Sequence, residues 1–236
     1  MHRPSALLAL VLTALFAAQA SAHFLWINKV TTDAGKPTVE LCFGEEAAPG
    51  EAEFVDRLAT AKLWAQSANE KPALLKLEKK ITGETGSFAG PLAAGQAGLV
   101  AAWDYGVISR GDKTFLLQYY AKHLDTARPD ELKQFGSSDQ LRLDVVPTIM
   151  EKRCQLAVRF AGKPAVASQV MVSVPGGKQQ ELKTDDQGQV SFELPKAGKY
   201  EIRARVQHDQ PGEREGKAYT HEMHYTTLVL LVAPEK

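Results

Sequence analysis

"TDDQGQVSF", residues 184–192, decides how the rest of the chain is read. Asp186 and Gly188 are turn residues, and Val190 and Phe192 then alternate with polar neighbours at the two-residue period of a half-buried strand. The same rhythm continues on either side. "CQLAVRF" (154–160), "SQVMVSV" (168–174), "QVSFEL" (189–194), "KYEIRARV" (199–206) and "YTTLVLLV" (225–232) read as five strands. The turns "AGKP", "PGGK", "TDDQG" and "KAGK" separate them.

Five short strands with turn signals at this spacing predict a compact antiparallel sandwich of about 85 residues, of immunoglobulin or transthyretin-like size. Upstream, "FLWINKV", "PTVELCF", "TAKLWAQ", "ALLKLEKK", "GLVAAWDYGVI" and "LRLDVVP" carry the same short apolar or alternating pattern. "EFVDRLATAKLW" places Phe54, Leu58 and Ala61 at helical spacing and reads as a short helical turn. "FLLQYYAKHL" shows a similar ambiguity and reads as a long strand. Pro147 interrupts strand pattern and suggests a boundary. The expectation is an all-β protein of two β-sandwich domains in tandem, residues 23–147 and 148–236, the second resembling a carboxypeptidase-regulatory-like module.

Residues 1–22 read as an export signal. Arg3 gives a positive start, "ALLALVLTALFAA" an apolar run, and "ASA" at residues 20–22 a small-x-small cleavage step. Cleavage before His23 and cleavage before Ser21 both satisfy that rule. The expected location is periplasmic or secreted, with no membrane span in the mature chain. Composition is that of an ordinary globular protein, with 236 residues, 44% apolar and 24% charged. Lys+Arg and Asp+Glu are 28 each, so no basic face announces a nucleic-acid partner. An oxidising compartment would permit Cys42 and Cys154 to pair, and the sequence leaves that open.

Histidine is the informative residue type, since five of the six follow residue 22. A free amino terminus at His23 would offer an amine and an imidazole as a chelate, and one more imidazole would complete a three-nitrogen set suited to Cu(II). The partner favoured is His224 in "HEMHYTTL". His221, Met223 and His123 rank behind it, and His208 in "QHDQPGE" is expected in an exposed loop. Residues 221 and 224 would face opposite ways along a regular strand.

Several stretches together resemble the NikM-like periplasmic domain-of-unknown-function family, associated with nickel and cobalt uptake. They are "AHFLWI", "CFG" at residues 42–44, "WDYGV" at 103–107, "FLLQYYAK" at 115–122, "LDVVP" at 143–147 and "HYTTL" at 224–228. The resemblance implies an exported, non-enzymatic protein that handles a transition metal, with Cu(II) favoured by the nitrogen donors and Ni(II) or Co(II) by the family. A membrane uptake system is the partner it implies. Two other readings stay open: a histidine-brace copper oxygenase acting on polysaccharide, and a structural or adhesive sandwich module.

Overall fold

The computed structural model describes residues 23–234, apart from residue 33 and residues 126–128. The expected leader and its cleavage position lie outside the described residues. The all-β expectation holds. An eight-stranded sheet forms the middle of the protein, in the spatial order Gln179–Lys183, Gln169–Ser173, Gly198–His208, His221–Val232, Lys113–Asp125, Gln96–Arg110, Lys62–Ser67 and Ala73–Leu74. A four-stranded sheet built on Leu143–Met150 and Arg153–Phe160 supplies one core with its partners. A five-stranded sheet containing Phe24–Thr31 and Pro37–Gly44 supplies the other.

The terminal strand explains why the two halves do not separate. His221–Val232 pairs antiparallel with Gly198–His208 and parallel with Lys113–Asp125, so it lies between strands from both sides of residue 147. Leu228 and Leu230 enter one core and Val229 the other, all fully buried. A strand covered on both faces needs a continuous apolar run rather than strict alternation, and "LVLLV" is that run. Each such side chain contributes about 1.5–3 kcal/mol by burial.

Hydrogen bonding therefore crosses the boundary expected at residue 147. Pro147 sits inside Leu143–Met150, paired with Leu156. That strand is the edge of its sheet, where a residue without an N–H is tolerated because no ladder bond is lost. What reads as an interruption is an edge strand.

Local signals were read more closely. "EFVDRLAT" lies in a 3-10 helix, Ala52–Thr60, with Val55 and Leu58 buried. "FLLQYYAKHL" lies in the strand Lys113–Asp125. The turn at 184–188 forms as expected, with Gly188 at φ +70°. Its cap, however, is Asp185 rather than Asp186, since the Asp185 carboxylate accepts from the amides of Gln187 and Gln189 at 2.9 and 2.8 Å. Cys42 and Cys154 are both free thiols, buried in opposite cores. Burial pushes both thiols up to about 12. No helix among the described residues is long and apolar enough to cross a membrane.

Candidate metal centre

Alternation along the terminal strand sorts its polar residues between the two faces. Glu222 and His224 point into the core shared with the four-stranded sheet, whereas Met223 and Tyr225 pack on the other side. Register then brings in a third group. His208 ends the neighbouring strand directly opposite Glu222, and directly opposed residues in an antiparallel pair share a face. His208 is thus a strand residue and not the exposed-loop residue that "QHDQPGE" suggested.

One carboxylate oxygen collects the cluster. Glu222 Oε2 accepts from His208 Nδ1 at 2.9 Å, from His224 Nε2 at 3.1 Å and from Arg142 Nη1 at 2.9 Å. Ligand atoms of His208, Glu222 and His224 all lie within 4.8 Å of one another. Among the described residues, this is the group of three His, Cys, Asp or Glu side chains placed to share an ion. His224 is fully buried and Glu222 nearly so, while the His208 side chain is 37% exposed. The cluster therefore has one open side.

The surroundings come from other strands, Lys113–Asp125 and Arg153–Phe160, and from Arg142 just before Leu143–Met150. The Tyr120 hydroxyl lies 3.3 Å from His224 Nδ1, and the two rings stack at 6.1 Å. Phe160 packs against both imidazoles, at 4.7 Å from His224 and 5.2 Å from His208. The Arg142 guanidinium lies over the Phe160 ring at 4.9 Å. Burial, more than any neighbouring charge, lowers the His224 pKa to about 4. Its ring is neutral near pH 7, with the proton on Nε2, where it is given to Glu222, and the lone pair on Nδ1 beside the Tyr120 hydroxyl. Burial opposes ionisation of Glu222, but bonds from His208 and His224 and the Arg142 charge together hold its carboxyl below the usual range.

The other expected ligands lie elsewhere. His23 lies in the second core, on the opposite face of the central sheet from His224, so the two do not form one coordination sphere. The cause is strand parity: residue 224 turns toward Phe160, while His23 packs on Phe43 and Phe54. The His23 Nε2 bonds Glu51 at 2.8 Å. His221 stacks on Phe115 at 5.3 Å and bonds the Thr220 hydroxyl. Met223 packs with the His23-side core.

His123 is buried, with Nδ1 3.1 Å from the Ile27 carbonyl oxygen and Nε2 without a partner. Of the residues singled out in the sequence, His224 lies in this cluster, whereas Glu222 and His208 beside it were not expected there. Glu222 was two residues from His224 and so on its face, a usable signal. The His208 pairing depends on a register that no local pattern shows.

Compared with known proteins, the chain matches no family model and no curated sequence.

Proposed function

We propose that this protein is exported and binds a transition-metal ion through His208, Glu222 and His224, buffering the ion or passing it to an uptake system. The observation that carries the reading is three ligand atoms of different side chains within 4.8 Å, on two adjacent strands. Two imidazoles and a carboxylate form a borderline donor set, which suits Cu(II), Zn(II), Ni(II) and Co(II), with copper bound most tightly on the Irving–Williams order. With an ion on Nε2 of His224, the ring proton sits on Nδ1 and is donated to the Tyr120 oxygen. That is the outer-shell hydrogen bond that orients a ligating histidine. The export-signal pattern and the NikM-like resemblance support the compartment and the class of cargo.

Arg142 favours a second reading, a buried charge network that closes the end of the sandwich. A guanidinium on Glu222 opposes a cation there, although its side chain is 39% exposed and free to swing outward. Calorimetric titration of metal-free protein with Cu(II), Zn(II), Ni(II) and Co(II) separates the two. On the metal reading, His208→Ala, His224→Ala and Glu222→Gln each weaken binding by more than about a hundredfold, beyond the roughly 10–100-fold lost when a hydrogen-bond partner of a ligand is removed. His23→Ala leaves binding unchanged. Unchanged affinity in His208→Ala favours the charge network.

A further inference from the structure

A second site stands on the other face of the central sheet. A β-bulge falls at Asp104–Gly106 in the strand Gln96–Arg110, with Gly106 at φ +106°. The extra residue reverses strand parity. Trp103 before the bulge, the unpaired Tyr105 within it, and Ile108 and Arg110 after it consequently all turn to the same side. Tyr105, Ile108 and Arg110 meet His23 and the 3-10 helix Ala52–Thr60 around a cavity of about 200 Å³. A regular strand would send Tyr105 and Arg110 to opposite faces.

The walls are aromatic. Tyr119 stacks on Tyr225 at 5.7 Å and meets Tyr105 edge-on at 5.9 Å. Phe43 and Phe54 flank His23. Two guanidinium groups complete the lining. Arg57 donates to the Tyr105 hydroxyl and lies over the Phe54 ring at 5.1 Å. Arg110 lies close enough to act electrostatically on the Tyr119 phenol. Among the described residues no Asp or Glu lines the cavity, and Glu51 is bonded to His23.

We propose that this cavity binds a monocyclic aromatic carboxylate, its ring among Tyr105, Tyr119 and Phe54 and its carboxylate on Arg57 and Arg110. An enclosed cavity of about 150 Å³ takes benzene, so about 200 Å³ has room for one ring with a carboxylate. Charge sets the sign: an aromatic cage alone would suit a cation, but two guanidinium groups without a lining carboxylate repel one. Planar guanidinium groups suit a carboxylate in particular.

Calorimetry on the purified, metal-free protein tests this with benzoate as the probe, against benzyl alcohol, benzylamine and cyclohexanecarboxylate. Benzoate is expected to bind with a Kd below about 1 mM and about tenfold more tightly than benzyl alcohol or benzylamine, one charge-assisted contact being of that size, and roughly threefold more tightly than cyclohexanecarboxylate, the size of an aromatic ring contact. Arg57→Gln and Arg110→Gln are each expected to remove that tenfold advantage over benzyl alcohol. His208→Ala is expected to leave benzoate binding unchanged, which keeps this site separate from the metal proposal. No benzoate binding, or benzyl alcohol binding as tightly as benzoate in the wild-type protein, overturns the proposal. Cyclohexanecarboxylate binding as tightly as benzoate overturns the aromatic half of it.

Discussion

Acidification should destabilise this protein through His123 in particular. The ring is 3% exposed, its Nδ1 is 3.1 Å from the Ile27 carbonyl oxygen, and its Nε2 has no partner. Burial is the main reason its pKa falls from 6.5 to about 4. Because the folded value lies below the unfolded one, the stability from keeping the ring neutral is complete above about pH 6.5 and is lost as pH falls toward 4. A shift of about 2.5 units is about 3 kcal/mol, and most of it, about 2–3 kcal/mol, is gone by about pH 4.5. Urea unfolding between about pH 7 and 4.5 should therefore show a steeper loss for the wild type than for His123→Leu, by about 2 kcal/mol over that window. Carboxylate titrations are common to both proteins and cancel in the difference. Parallel curves, within about 0.5 kcal/mol, would refute a buried neutral His123.

Lys122 is 1% exposed and bonds Asp144 and the Gly136 carbonyl oxygen, each at 2.5 Å. Lys122→Met leaves the Asp144 charge buried and should cost about 3–5 kcal/mol; a loss under about 1 kcal/mol in urea titration would contradict the pairing. Cys42 and Cys154 lie in separate cores, so denatured, unreduced protein should show two reactive thiols with Ellman's reagent, and none would contradict the fold. His221→Ala removes a ring outside the triad and should leave metal affinity unchanged by calorimetry, whereas a loss like that of His224→Ala would move the site to the other face.

Strand positions were legible because burial on one face imposes a two-residue period, as at Val190 and Phe192, and burial on both removes it, as in "LVLLV". The opposed directions of His221 and His224 followed from the same rule. The central sheet was not legible. Its assembly depends on the terminal strand running parallel beside Lys113–Asp125, a pairing about a hundred residues apart in sequence that turn chemistry does not specify. Pro147 misled because edge and interrupted strands share one local pattern. His208 misled because Pro211 and Gly212 make its surroundings look like a loop, although the strand extends to His208 itself. The bulge at Gly106 left one trace in sequence, a glycine within an apolar run.

Anomalous diffraction from a copper-soaked crystal, recorded at the copper edge, tests the metal centre most directly. The expected result is one strong peak about 2.0–2.2 Å from His208 Nδ1, His224 Nε2 and a Glu222 carboxylate oxygen, the span of zinc-type nitrogen and carboxylate ligands, with Arg142 turned away. A peak at His23 instead, or no peak beside a Glu222 still bonded to both histidines and Arg142, would contradict it.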